Sequence, residues 1–145
     1  TSQSKFLLLT HYLYAINNKN YLFLQNSSGL LNSNDYFENE LFRFGGIYNL
    51  RGVNEESIFA SAYTVLNLEY RFKPNISSYF YTITDFSFSE NNLTETNTNV
   101  ISFGLGYAFQ TKAGILNLSY ALGKFDQEPV SFDNSKIHIK IVSKF

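Results

Sequence analysis

Apolar and polar residues alternate with a period of two through most of the chain, which places them on opposite faces of β-strands. In the last segment, Ile137, Ile139 and Ile141 fall on one face, whereas His138 and Lys140 fall on the other. The same alternation, less regular in the first two cases, recurs in six earlier segments: 5–16, 20–31, 63–72, 79–89, 100–109 and 114–123. Each segment is about ten residues long, the length with which a tilted strand crosses a bilayer.

The connections between these predicted strands alternate between short and long. The short ones are centred on 17–20, 73–75 and 110–113, and the long ones on 32–58, 90–99 and 124–134. Tight turns at one end and long loops at the other are typical of outer-membrane barrels, whereas a soluble β-sandwich has no reason to alternate in this way. We therefore predict an all-β fold, an antiparallel transmembrane β-barrel of the bacterial outer membrane, to which residues 1–145 supply about seven strands.

Composition narrows the functions that such a chain can have. It has 145 residues, enough for a single domain, with a net charge of −1 and no cysteine. A near-neutral charge gives no reason to expect nucleic acid as a partner, and the lack of cysteine excludes disulfides and thiolate metal sites. His11 and His138 are too few and too far apart to indicate a metal site. We expect no metal, no cofactor and no catalytic residues.

One long connection, 42–57, does not resemble an ordinary surface loop. Its apolar residues Phe42, Phe44, Ile47, Tyr48 and Leu50 are excessive for a loop in water. The pair Gly45-Gly46 permits backbone angles that a Cβ forbids, so the segment can fold back on itself. The sequence therefore predicts a loop tucked into the barrel lumen with Arg51 near its tip. The alternative is a solvated loop in which Arg51, Glu55 and Glu56 face water.

The stretch ELFRFGGIYNLRG, residues 40–52, resembles the sixth-loop motif of the BamA/TamA superfamily of outer-membrane insertases and translocators. The matching positions are Glu40, Phe44, Gly45, Gly46, Leu50, Arg51 and Gly52. Val53 departs from the pattern, since the family usually has Phe or Tyr there. The stretches LNLEYRF (66–72) and YFYTITDFSF (79–88) resemble the two strands that follow this loop, with Asp85 at an inward acidic position.

The end of the chain, IHIKIVSKF, resembles the family's closing strand. Its signal residues would be Ile137, Ile139, Ile141 and Phe145. Counted from the motif loop, the chain corresponds to the C-terminal part of a larger barrel, or to a reduced barrel completed by other strands or chains. A sheet of seven strands would leave an open edge in lipid, which is costly.

The resemblance also implies a location and partners. The location is the outer membrane of a Gram-negative bacterium, and the partners are outer-membrane lipid, unfolded client proteins and periplasmic POTRA domains. This chain contains no predicted POTRA domain. The implied role is protein insertion or translocation without enzyme chemistry. Two alternatives stay open: a passive channel, and a membrane anchor for an N-terminal effector. If the chain is complete, the expected partners include further copies of itself in a homo-oligomer.

An arginine tucked into the lumen needs an acidic partner, because an unpaired buried guanidinium is expensive. The inward faces offer Asp85 and Glu69. With a tight turn at 73–75, the two carboxylates would lie on the order of 20 Å apart along the strands. Arg51 could then reach only one of them, and the family precedent favours Asp85 over Glu69.

Overall fold

The structure, a computed structural model, describes residues 2–125 and 135–142. Its strands are β1 (Gln3–Ala15), β2 (Asn20–Ser33), β3 (Phe42–Phe44), β4 (Ile58–Ala60), β5 (Ala62–Asn75), β6 (Ser78–Asn91), β7 (Thr96–Thr111), β8 (Gly114–Phe125) and β9 (Ser135–Val142). A short 3-10 turn, Glu38–Glu40, precedes β3. No helix within the described ranges is long and apolar enough to cross a membrane.

Seven of the strands form one antiparallel sheet in the order β1-β2-β5-β6-β7-β8-β9, so the prediction of an all-β chain with seven main strands is confirmed. Within the described residues the sheet is open, since β1 and β9 each pair with a strand on one side only. The long connection between β2 and β5 contributes a separate two-stranded ladder, β3 with β4.

Two connections differ from the sequence prediction. The turn after β5 lies at Ile76 and Ser77, not at 73–75, and the β5–β6 register shifts between Phe72 and Asn75. The connection after β6 covers only 92–95, because the ladder continues through polar pairs such as Glu90 with Asn97. Backbone hydrogen bonds do not require apolar side chains, so a strand can outlast its hydrophobic pattern. Most of the predicted long loop 124–134 lies outside the described residues.

The two faces of the sheet have opposite chemistry, in the sense that the alternation predicts. One face, here called the outer face, exposes large apolar side chains: Leu66, Leu68, Tyr70, Phe72, Phe80, Phe86, Phe88, Ile101, Phe103, Leu105, Leu118 and Tyr120, together with Ile137, Ile139 and Ile141 of β9. Phe145 lies outside the described residues. The other face, the inner face, buries polar groups: Asn67, Glu69, Asp85, Ser87, Ser102, Ser119 and His138. A water-soluble sheet normally buries its apolar face instead.

The long connection between β2 and β5 covers part of the inner face. Its apolar residues form a buried cluster with Val65 of β5 and Val100 of β7: Phe44, Leu50, Val53, Ile58 and Ala60. Tyr63 packs against this cluster, with its ring stacked on Phe44 at a centroid distance of 4.9 Å. These apolar side chains of the loop are therefore buried in a core. Their packing places the tip of the loop, at Arg51, over the middle of the sheet.

Candidate functional site

The loop turns sharply at Gly45 and Gly46, which have φ values of 126° and 101°. A Cβ on Gly45 would lie 2.3 Å from the carbonyl oxygen of Asn54, so a larger residue does not fit there. The N–H of Gly46 donates to the carbonyl of Leu50 at 2.9 Å and closes a small turn over 46–50. Leu50 is fully buried, and Arg51 follows it directly onto the inner face.

Arg51 lies at the centre of the site and is only 6% exposed. Its Nε donates to Asp85 Oδ2 at 2.9 Å and its Nη2 donates to Asp85 Oδ1 at 2.7 Å, so the guanidinium holds this carboxylate with two parallel bonds. The backbone N–H of Arg51 donates to the same Oδ2 at 3.0 Å. Asp85 therefore holds both the side chain and the main chain of the loop tip.

Glu69 binds Arg51 as well, and the prediction that the arginine reaches only one carboxylate is wrong. Arg51 Nη1 donates to Glu69 Oε2 while the two bonds to Asp85 are in place. The reason is the position of the turn. Asn67 is the cross-strand partner of Asp85, so Glu69 is only two residues further along β5, an offset of about 7 Å. A later turn brings the two carboxylates to nearly the same height.

A second arginine completes the charge network. Arg71 Nε donates to Glu69 Oε1 at 2.9 Å, so both oxygens of Glu69 are occupied by arginines. Burial by itself would lower the pKa of Arg51, but hydrogen bonds and charge from Asp85, with those of Glu69, outweigh this effect and raise the pKa above its ordinary value. Two arginines and two carboxylates thus balance in a buried cluster, in which each charge has a partner.

The residue after Arg51 is held by contacts that the sequence did not reveal. The N–H of Gly52 donates to His138 Nε2 at 3.0 Å, and Ser102 Oγ donates to the carbonyl of Arg51. Gly52 has a φ of 86°, and a Cβ there would lie 2.8 Å from the backbone nitrogen of Gly123. Alternation places Ser102 and His138 on the inner face, but no sequence signal indicated that they meet the loop.

These contacts show that the sheet curls around the loop. Arg51 bonds to β5, β6 and β7, and Gly52 bonds to β9. Four strand spacings separate β5 from β9, an arc of about 19 Å at the usual distance between strands. A single cavity of about 240 Å³ beside Arg51 is moreover lined by both Gln25 of β2 and Lys140 of β9, strands that are five spacings apart along the sheet. The inner face is therefore concave, and the loop tip sits in its hollow.

The structure brings the predicted loop residues and their predicted acidic partners together, but it places the predicted strand signal on the other face of the sheet. The motif positions Phe44, Gly45, Gly46, Leu50, Arg51 and Gly52 belong to the docked loop and meet Asp85 and Glu69. The predicted strand signal Ile137, Ile139 and Ile141 lies on the outer face of β9, away from the loop. Within the described ranges, no group of three or more His, Cys, Asp or Glu side chains could hold a metal ion.

The arrangement fixes a loop rather than presenting a reactive group. Its carboxylates are occupied by arginines, and His138 Nε2 is occupied by a backbone N–H. In comparisons with known proteins, no family model and no curated protein matches the chain. A functional assignment therefore depends on the motif residues and on the geometry of this site.

Proposed function

We propose that the chain forms part of an outer-membrane β-barrel similar to BamA and TamA, which inserts or translocates proteins at the outer membrane of a Gram-negative bacterium. The observation that carries the proposal is the docking of Leu50-Arg51-Gly52 on the inner face through Asp85. The resemblance assigns functional importance to these loop residues and to this acidic position. The resemblance predicts that Arg51 pairs with Asp85, and the two side chains are hydrogen-bonded in the structure.

The outer face supports a membrane location. Its aromatic and aliphatic side chains form a continuous surface over β5–β9, with Leu105 67% exposed and Ile139 65% exposed. Exposed apolar surface on this scale marks a site of contact with lipid or with another protein. The inner face is polar and partly filled by the loop, which is the arrangement inside a membrane barrel.

The open sheet supports completion by further strands. In a bilayer, the free N–H and C=O groups along β1 and β9 would have no water to bond with, at a cost of several kcal/mol for each group. The partners in this proposal are outer-membrane lipid, strands that close the barrel, unfolded clients and POTRA domains. The docked loop would hold the completed barrel in a defined shape during the insertion or translocation of client proteins.

A passive channel is the second candidate, and one observation favours it. The loop leaves a cavity of about 240 Å³ on the inner face, beside Arg51 and between β2 and β9. Such space would suit a conduit for solutes. The two candidates differ in what the loop does: an assembly barrel needs it for activity on client proteins, whereas a channel needs it only to shape the pore.

Reconstitution of the protein with its completing strands separates these candidates. Proteoliposomes containing it should accelerate the insertion of an unfolded client barrel, measured by the heat-dependent shift of the client in electrophoresis. Arg51→Ala should abolish the acceleration, whereas Arg43→Ala, which changes an exposed arginine of the same loop, should not. Insertion no faster than in empty liposomes would reject the assembly role. Ion conductance without client insertion would support the channel.

Labelling in intact cells tests the membrane topology. The chain lacks cysteine, so single cysteines can be placed at Asn92, in the β6–β7 connection, and at Lys112, in the opposite β7–β8 turn. An impermeant thiol reagent should label Asn92→Cys and spare Lys112→Cys. The reverse pattern would invert the orientation, and equal labelling of both would argue against a membrane-spanning sheet.

A further inference from the structure

The cavity beside the loop has a wall of cationic and amide side chains. It lies on the concave inner face, on the side of Arg51 nearer the short turns, and its volume is about 240 Å³. Among the residues that line it are Gln25, Asn67, Glu69, Arg71, Asn117 and Lys140. Three cationic side chains line the cavity, Arg51 among them, against one carboxylate. Asp85 binds Arg51 but does not line the cavity. If its charge is counted as well, the three cationic side chains still outnumber the two carboxylates.

The carboxylate and asparagine oxygens around this cavity are already occupied. Glu69 accepts from Arg51 and from Arg71. Asn67 Oδ1 accepts from Gln25 Nε2 at 3.4 Å, and Asn117 Oδ1 accepts from the Tyr81 hydroxyl. A cationic ligand entering the cavity would therefore share these oxygens with existing donors, and it would face the positive charge of Arg51, Arg71 and Lys140.

Among the cationic side chains of the cavity, Arg71 and Lys140 keep donors that make no hydrogen bond to described residues. Of the Arg71 nitrogens, only Nε donates to another described residue, which leaves Nη1 and Nη2 available. Lys140 Nζ lies over the Tyr48 ring at 4.6 Å and has no hydrogen bond to the residues that the structure describes. A cavity that combines free cationic donors with a single carboxylate, itself already bonded to two arginines, matches a ligand that only accepts, namely an oxyanion.

Arg71 is also held in position before any ligand arrives. Its guanidinium carbon lies 4.3 Å from the Phe23 ring centroid and 5.1 Å from the Tyr79 centroid, and Glu69 binds its Nε. These contacts restrict the side chain, so little conformational entropy remains to be lost when its terminal nitrogens bind. Lys140, on β9, approaches the same cavity from the opposite end of the sheet.

We propose that this cavity is a binding site for an oxyanion of the phosphate class, with Arg71 as the direct donor and Lys140 as a second source of positive charge. The site is independent of the protein-assembly role, because it requires only the docked loop and the concave face. The phosphate group can belong to a free solute or to a lipid headgroup. Both present the same oxygens to Arg71, and they differ in whether an acyl chain is needed.

Calorimetric titration of the purified full protein, in a zwitterionic detergent, tests the proposal with two probes. Inorganic phosphate represents the free anion, and a short-chain phosphatidic acid represents the headgroup. Binding of inorganic phosphate would assign the site to a soluble anion, and binding of phosphatidic acid alone would assign it to lipid. If neither probe binds, the proposal is wrong.

Matched substitutions locate the binding. Arg71→Gln should weaken it about tenfold or more, as expected when charge-assisted hydrogen bonds are lost. Arg43→Gln is the control, because Arg43 also lies against an aromatic ring, that of Phe59 at 4.9 Å, but outside the cavity. Equal losses from the two substitutions would show that only general surface charge attracts phosphate, and would overturn the site.

A second pair of variants tests the site independently, in case the Arg71→Gln variant does not fold. Lys140 touches only the Tyr48 ring among its described polar and aromatic contacts, so Lys140→Gln should leave the fold intact and weaken binding by a few-fold. Lys112→Gln, in the exposed β7–β8 turn, should leave binding unchanged. Unchanged affinity in Lys140→Gln would remove Lys140 from the site, and unchanged affinity in both Lys140→Gln and Arg71→Gln would reject the proposal.

Discussion

The middle of the sheet and its β1 edge differ sharply in how well the described residues cover them. Under the loop, β5 and β6 bury alternate side chains, including Val65, Ile83 and Asp85 at 1% exposure or less. In β1 every residue is exposed. The loop reaches β1 only at its rim, where Gln3 and Lys5 donate to Glu40.

The difference does not come from a lack of apolar residues in β1. By its register with β2, Leu7, Leu9 and Leu13 point to the inner face, and they are 68%, 64% and 50% exposed. The inner face of β5–β9 combines polar groups with apolar residues such as Val65 and Ile83 and is met by a docked loop, whereas that of β1 is largely apolar and uncovered among the described residues. Stability should therefore be concentrated around Arg51.

The largest effect should come from the ion-pair cluster. Arg51→Ala leaves Asp85 and Glu69 facing each other without their shared cation, and we expect a loss of about 3–5 kcal/mol in the free energy of unfolding. Asp85→Ala should cost less, because Arg51 keeps Glu69. Urea unfolding should show non-additivity, the double variant being little worse than Arg51→Ala alone. Strictly additive losses would contradict a coupled cluster.

Leucine truncation compares the two regions directly. Leu50→Ala removes a fully buried side chain from the loop cluster and should cost about 2–5 kcal/mol. Leu9→Ala removes the same atoms from the inner face of β1 and should cost no more than about 0.5 kcal/mol in this chain. A larger cost at Leu9, measured in the same urea titration, would show that another segment covers β1 in solution.

Neighbouring positions on β8 test the identity of the two faces. Leu118 lies on the outer face, and Asn117 lines the inner cavity. In a bilayer, Leu118→Arg should cost about 2–4 kcal/mol, the range for arginine at a lipid-facing midplane position. Asn117→Arg should cost much less, because its charge would stay in a polar space. Equal tolerance of the two changes would indicate that the outer face does not contact lipid.

The smallest loss of stability should come from a substitution of Gly52, where the tip of the loop packs closely against β7 and β8. Gly52→Ala places a Cβ 2.7 Å from Ser102 Oγ and 2.8 Å from the nitrogen of Gly123, so the loop must move away from β7 and β8. We expect a cost of about 1–3 kcal/mol, as for other overpacked sites. Asn54→Ala, at an exposed position two residues on, is the control. Limited proteolysis near Gly45 should increase only in Gly52→Ala.

The strands and their two faces could be predicted from the order of residues along the chain. A period of two is a local property, so it identified seven strands and placed Asp85, Glu69 and His138 on one side without any knowledge of the fold. The glycine pair and the apolar residues Phe42, Phe44 and Leu50 also indicated correctly that segment 42–57 packs into a core, although Tyr48 is 67% exposed. These features depend on side-chain order along the chain.

Which residues of the inner face meet depends on how the strands are arranged in three dimensions. Alternation is unchanged when a strand slides by two residues, so it could not place the β5–β6 turn at Ile76 and Ser77 or bring Glu69 beside Asp85. Likewise, the contacts of Gly52 with His138 and of Arg51 with Ser102 depend on how far the sheet curls around the loop. Register and curvature arise from pairing between distant segments, and for that reason one arginine reaches two carboxylates.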